Sequence, residues 1–304
     1  MPAVTPSEPL LEPVAHAPAR QLWRAVLYRV HTFLLRREVL SVDLPWLGLR
    51  MRVGAEDMLG RRLYRTAIYE SDVTSFVLRW LAKTPPAVVL DVGANVGFYS
   101  LLVGRVWGKK AVVHAFEAEP WNFALLRQNL QENGMLAEGN GAGVVPHFGA
   151  ISDREGECTL HLWKRSNRGK HSLVPFASGS SPGASLQVPA FTLDQCWAAA
   201  GLGDREVALL KIDIEGAEHQ AFLGAREVLP RCRVVLAELS PKFLARAGIT
   251  LDEHLGLLRD HGFMPFVVGS GGRLSPLQPD SLRQSGKACN VVHVRADQVA
   301  AVVG

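Results

Sequence analysis

The residues with the clearest chemical potential form one heptapeptide, Asp91-Val92-Gly93-Ala94-Asn95-Val96-Gly97. An apolar run, Val88-Val89-Leu90, precedes it and a helical pattern follows. This reads as a strand, a glycine-rich turn and a helix N-terminus, a site suited to a nucleotide-type ligand. A dinucleotide fingerprint needs glycines in the order G-x-G-x-x-G. Counted from Gly93, the second place holds Asn95 and the third Phe98. A side chain where pyrophosphate must approach, and a bulky ring where helix must meet strand, argue against NAD and FAD. The phosphate-loop alternative at Gly104 to Lys110 is one residue short and lacks a Ser or Thr after the lysine. Asp91 would repel a pyrophosphate but suits a cationic or amino-bearing ligand. Glu117 ends the next apolar run, where an acidic residue binds both hydroxyls of an adenosine ribose. An adenosine that carries an amino acid and no phosphate satisfies all three features, and that ligand is S-adenosylmethionine. Asp91, Gly93, Ala94, Asn95, Gly97 and Glu117 are therefore the expected cofactor residues.

A second group of acids follows two later strands. Lys211, Asp213 and Glu215 alternate, so they share a face if the strand persists that far, and Glu238 ends the neighbouring strand. Methyl transfer to a neutral hydroxyl gains from in-line positioning and from a base that takes the proton. Asp213, Glu215 and Glu238 are the catalytic candidates, with Asp213 also placed to hold the methionine ammonium. Glu218 is read as the start of a helix, favoured by its dipole. Asp213 with Glu238 could hold magnesium, but no further residue completes a set, and no metal site is assigned. His171 ranks behind the carboxylates as a base. Gly179 to Gly183 matches G-x-S-x-G without the strand and helix a nucleophile elbow requires.

The elements that must position these residues are regular from residue 87 onward. Strands are expected at 87–92, 111–117, 144–151, 207–212 and 234–239, with helices at 97–106, 120–132, 217–229 and 251–261. A closing pair of strands is expected at 263–268 and 289–295, joined by a long loop. Continuous apolar strands alternating with helices imply a parallel sheet covered on both faces. The expected fold is α/β and Rossmann-like, a seven-strand mixed sheet with an N-terminal helical and strand extension. Ligands bind such sheets at the carboxyl ends of the strands, which places functional residues just after Val92, Phe116, Gly149, Ile212 and Ala237. Residues 154–192 read as a polar insertion of the kind that carries substrate specificity.

Upstream, residues 1–20 are rich in Pro, Ala and Glu and read as a disordered leader, and 21–86 as an extension before the main domain at 87–304. Residues 21–37 form an amphipathic helix, with Leu22, Val26, Val30, Phe33 and Leu34 at helical spacing and Arg20, Arg24, Arg36 and Arg37 around them. Packing of that helix on the domain is preferred over contact with a membrane surface or anionic partner. The chain has 304 residues, 48% hydrophobic and 20% charged, which excludes a disordered chain. A net charge of +4, spread along the chain, does not call for nucleic acid. No apolar run reaches the ~20 residues of a membrane span. Four scattered cysteines form no C-x-x-C pair, so reduced thiols in a cytoplasmic protein are expected.

Several segments resemble one family in its order: Tyr69-Glu70, Val89 to Gly97, Ala115-Phe116-Glu117, Asn122 to Leu126, Ala150 to Gly156, and Leu210-Lys211-Ile212-Asp213-Ile214-Glu215-Gly216-Ala217-Glu218. Together they are similar to the FkbM family of S-adenosylmethionine-dependent methyltransferases over roughly residues 69–268. The resemblance adds Glu70 and Ala150 to the cofactor residues. It implies O-methylation of a small-molecule or glycan acceptor, on a sugar, glycolipid or polyketide. In the second strand this chain reads Phe116-Glu117-Ala118-Glu119-Pro120, where the family more often has Pro directly after the first Glu. Glu117 is assigned to the ribose because it ends the strand, with Glu119 the other candidate. A non-catalytic protein that keeps the cofactor fold is the rival reading. The number of subunits is not legible.

Overall fold

The computed structural model describes residues 18–137, 139, 142–163, 165–176 and 184–303. Most of the expected leader and the G-x-S-x-G match lie outside these residues. Helix α1, Pro18–Arg29, continues as one π-helical turn at Val30–Leu34. Its expected apolar face is not packed on the domain: Val26 is 47% exposed and Leu34 75%. The side chains of Leu22 and Phe33 are outside the description. Tyr28 and His31 meet the body instead, both against Tyr64, and the Tyr28 hydroxyl donates to the Ala55 carbonyl.

The strand part of the expected N-terminal extension is a hairpin, Val39–Leu44 (β1) and Leu49–Gly54 (β2), turning through Gly48 at φ +63°. Helices α2, Met58–Thr66, and α3, Ser71–Lys83, follow. The hairpin is tied to the main domain by amide side chains that imitate a strand edge. Asn129 accepts from the Arg52 N–H at 2.6 Å and donates to the Arg52 carbonyl at 2.9 Å.

The core then alternates β3 (Val88–Val92), α4 (Phe98–Trp107), β4 (Val112–Glu117), α5 (Pro120–Glu132) and β5 (Gly143–Phe148). Short β6, Ala150–Ile151, leads to β7, Gly156–His161, and then to β8, Ser185–Phe191. Next come α6 (Leu193–Ala199), β9 (Val207–Ile212), α7 (Glu218–Leu223), β10 (Val234–Leu239), α8 (Pro241–Arg246) and α9 (Leu251–Asp260). The chain closes with β11 (Phe263–Val268), β12 (Leu274–Pro276), α10 (Pro279–Ser285), β13 (Cys289–Arg295) and α11 (Val299–Val303).

The main sheet has eight strands in the order β12-β11-β13-β10-β9-β3-β4-β5. The expectation was seven. The extra strand, β12, spans three residues inside the stretch read as a long loop and pairs antiparallel with β11. β3, β4, β5, β9 and β10 run parallel, and β13 inserts antiparallel between β10 and β11. From β3 the parallel strands follow as β4-β5 on one side and β9-β10 on the other, so the switch-point crevice opens between β3 and β9. β3, β4 and β9 are buried along their whole length, as strands covered on both faces must be.

The expected third strand breaks at Gly149. At φ +146° a Cβ there would stand 2.6 Å from the Phe191 ring. Beyond this glycine the chain leaves the main sheet, and β6 joins a three-stranded sheet with β7 and β8 that carries the insertion. Helix α7 ends at Leu223, well before the expected residue 229. Among the described residues no helix is long and apolar enough to cross a membrane.

Burial lowers the pKa of several histidines, among them His114, His254 and His293. His254 is 1% exposed, both ring nitrogens lack partners, and its ring centroid lies 5.7 Å from that of His219. Burial pushes its pKa down to about 3. The native imidazole stays neutral while the unfolded one protonates near 6.5, so its contribution is present above pH 6.5 and is lost as pH falls. His254→Leu is expected to become progressively more stable than the parent below pH 6.5, by up to about 1.4 kcal/mol per pH unit. Urea unfolding at pH 5, 6 and 7.5 checks this. A difference that does not change with pH overturns it.

Candidate functional site

The first wall of the crevice is the turn after β3. Gly93 sits at φ +75°, and a Cβ there would lie 2.0 Å from the Asp213 carbonyl oxygen. Only glycine permits this approach of the two turns that follow β3 and β9. The Gly93 and Ala94 N–H groups donate to the Phe116 carbonyl at 3.0 and 2.9 Å. Asn95 is left-handed, at φ 52°, and donates its own N–H to Glu117 Oε2 at 2.8 Å. Gly97, at φ +92°, leaves space for Leu126 of α5.

Glu117 lies on the cavity wall, with Oε2 bound by Asn95 and Oε1 accepting the Glu119 N–H at 2.9 Å. Burial raises its pKa to about 7. Each carboxylate oxygen keeps a lone pair free for a further donor. Glu119 is used differently. It caps α5 by accepting the Asn122 N–H at 2.7 Å. The two acids that the sequence left as alternatives are thus separated by geometry. Asn122 adds a feature the sequence reading missed: its side-chain oxygen is buried on the cavity wall without a partner. Such an atom requires a donor, as an adenine amino group would supply. Ala150 is buried in β6 on the same wall.

The floor is a charged cluster. Lys211 is 6% exposed, with Nζ 3.5 Å from Asp213 Oδ2 and 4.0 Å from Asp91 Oδ1. It lies 5.1 Å from the centre of the Tyr99 ring. The Tyr99 hydroxyl donates to Glu70 Oε2 at 2.9 Å. Asp91 also accepts the Ser100 hydroxyl at 2.6 Å. Burial raises the pKa of both Asp91 and Glu70. For Lys211, burial opposes the charge, but Asp213, Asp91 and Glu70 outweigh it and the pKa is raised. Lys211 and Tyr99 were not named as site residues. The alternation through Lys211, Asp213 and Glu215 was the available signal for the lysine.

That alternation does not extend to Glu215. β9 ends at Ile212, and Glu215 reaches the site through a left-handed turn at φ 54°. Its carbonyl accepts the Ser172 hydroxyl at 2.7 Å. Carboxylate atoms of Asp213, Glu215 and Glu238 all lie within 4.8 Å of one another, close enough to share a proton or a cation. Burial, then Asp213 and Glu238, push the Glu215 pKa to about 9. Burial, then Asp213, push Glu238 to about 7. Glu218 is more than the dipole residue expected. Its two oxygens accept the Ile214 and Gly216 N–H groups at 3.0 and 2.9 Å and shape the turn that carries Glu215.

His171 lines the same cavity, but its Nδ1 accepts the Trp163 N–H at 2.8 Å and burial lowers its pKa to about 4. The segment Arg165–Lys170 covers one side of the cavity. Arg168 stacks 4.2 Å from the centre of the Trp121 ring, and its N–H donates to Asp57 at 2.7 Å.

The raised Glu215 pKa fixes a sign. Its contribution to stability is present below pH 4.5 and is lost as pH rises through about 9. Glu215→Gln is expected to be more stable than the parent at pH 8, by a few degrees in Tm, with the advantage shrinking toward pH 5. Thermal scans of the ligand-free protein at both values check this. An advantage that grows toward pH 5 contradicts it.

Comparisons with known proteins bear on the chemistry. A family model described as the methyltransferase FkbM domain matches residues 91–265. The chain is 30% identical over 199 residues to the 31-O-demethyl-FK506 methyltransferase FkbM of Streptomyces tacrolimicus, covering 59% of this chain and 73% of that protein. It is 28% identical over 190 residues to the 2-O-methyltransferase NoeI of Sinorhizobium fredii, with the same coverage of 59% and 73%. A solved methyltransferase FkbM from Methylobacillus flagellatus superposes with a TM-score of 0.40 at 15% identity, over 76% of this chain and 52% of that one. The family model spans more than half of the sequence. On these grounds the chain belongs to the FkbM family of S-adenosylmethionine-dependent methyltransferases.

Proposed function

We propose that this methyltransferase modifies a hydroxyl group on a sugar, glycolipid or polyketide-type small molecule. The names of its relatives support the acceptor class, one acting on an O-demethylated FK506 and another at a 2-O position. The observation that carries the reading is the trio of carboxylates, Asp213, Glu215 and Glu238, gathered beside the cofactor crevice. We also place the reaction in the cytoplasm, a reading supported by four free thiols.

Bound S-adenosylmethionine supplies an activated methyl group on a sulfonium centre. The rest of the work belongs to the chain. Glu117 binds the ribose hydroxyls, and the backbone of Gly93, Ala94, Asn95 and Gly97 lets the adenosine approach. Ala150 and Asn122 lie against the base. Asp213, with Glu70 and Asp91 behind it, holds the methionine ammonium, and Lys211 keeps these acids ionised and in place. Glu238 takes the acceptor proton, because a base works best with a pKa near the working pH. Glu215, protonated at neutral pH, donates a hydrogen bond to the acceptor. Arg165–Lys170 helps to keep water out of the crevice.

Two measurements test this assignment. Glu117→Ala is expected to weaken S-adenosylmethionine binding by about 1.5–3 kcal/mol, read by calorimetry. Unchanged affinity would move the ribose elsewhere. Glu238→Gln should lower turnover by about 10²–10⁴ with cofactor affinity kept, whereas Asp213→Asn should also weaken the cofactor. The parent rate should fall as pH drops below about 7, where Glu238 takes up a proton. If all three amide variants of the trio turn over normally, the base lies elsewhere, and His171 is the next residue to replace.

A further inference from the structure

The N-terminal helix leaves its apolar side in solvent. Trp23, Val26 and Leu27 in α1, and Leu34 and Leu35 after it, are all exposed. In the α-helical part, positions 23, 26, 27 and 30 fall on one face. Tyr28, which with His31 holds the helix to α2 through Tyr64, points the other way. The apolar face is therefore not the attachment face.

Its charge is one-sided. Residues 18–37 contain Arg20, Arg24, Arg29, Arg36 and Arg37 and no acidic residue. Arg29, Arg36 and Arg37 are exposed, whereas Arg24 is half-buried, with one guanidinium nitrogen shut off from solvent. Arg29 flanks the apolar face, from which a long side chain can reach headgroups while apolar neighbours sink below it. Glu38, Glu56 and Asp57 lie in the groove beside Arg36 and Arg37, but the helix itself carries no carboxylate, so a second copy docking on this face would bring arginines toward arginines, a repulsive arrangement.

We propose that residues 23–37 form a docking surface for the anionic face of a lipid bilayer, on which the helix lies without crossing. The surface ends beside the active site. Arg36 and Arg37 line a groove with Trp121 and Arg168, and Arg168 also lines the cofactor cavity. Docking thus brings the crevice close to the membrane plane, where an acceptor anchored in lipid would be presented. The docking does not depend on which residue is the catalytic base.

Co-sedimentation of the full chain with vesicles tests the proposal. Binding to phosphatidylcholine vesicles containing 30% phosphatidylglycerol should exceed binding to pure phosphatidylcholine by about tenfold or more, and should weaken with salt. Val26→Glu/Leu27→Glu should abolish it while S-adenosylmethionine affinity, read by calorimetry, stays unchanged, which shows that the fold is kept. Arg29→Gln/Arg37→Gln, which leaves the apolar face intact, should lower anionic-vesicle binding by about tenfold. Absent or charge-independent binding by the parent overturns the proposal. So does a parent dimer that the Val26→Glu/Leu27→Glu change dissociates, because a second copy would then be the occupant.

Discussion

A lysine ammonium held under the carboxyl ends of the central strands organises this molecule. Lys211 reaches the crevice floor from β9, nearly free of solvent, with Asp91 from β3 and Asp213 beyond β9 on either side. Burying such charges is expensive unless each finds opposite charge and hydrogen bonds. Ser100 from α4 and the Tyr99 ring supply those contacts, and Tyr99 passes the connection to Glu70 ahead of α3. One cation thus links four elements distant in sequence. The surrounding acids outnumber it, so the floor remains attractive to a ligand bearing positive charge. An ammonium and a sulfonium meet that requirement better than a phosphate.

Backbone strain gathers around the same point. Five non-glycine residues have positive φ, among the described residues, and three of them are Glu70, Asn95 and Glu215. Each brings a polar group to the crevice from a turn that an ordinary extended or helical backbone would aim elsewhere. Conformations of this kind persist only where surrounding contacts over-determine them. Here the contacts are visible: Tyr99 on Glu70, Glu117 on Asn95, and Ser172 and Glu218 around Glu215. Glu215 and Glu238 are further held near like charge, with pKa values about 9 and about 7. Acids shifted in this way by burial and like charge gather at functional sites, and also in structural networks of charges.

The N-terminal extension is part of this support. Asn129, which binds the β2 edge, also donates to the Val96 carbonyl in the glycine turn at 2.8 Å. Asp57, the cap of α2, receives the N–H of Arg168 from the segment beside the crevice. The hairpin and its helices therefore brace both the turn below the cofactor and the cover above it. α1 stands apart from this arrangement, attached by one side and open on the other.

What the sequence by itself determined is the part written in local spacing. Asp91 to Gly97 sits between a strand and a helix and excludes a dinucleotide by the side chains at 95 and 98. Apolar runs mark β3, β4, β9 and β10, because strands buried on both faces need no partner to be recognised. Other features depended on contacts between distant segments. β12 is three residues long and exists only because β11 offers it an edge. The glycine at the break is required by the Phe191 ring, which is far away in the chain. The choice between Glu117 and Glu119 needed the start of α5, which engages Glu119 as its cap. Glu215 joins the trio through a left-handed turn that alternation does not describe, and the outward face of α1 was set by Tyr28 and Tyr64. Periodicity shows which residues share a face of an element; only tertiary packing decides which way that face turns and which distant side chains it meets.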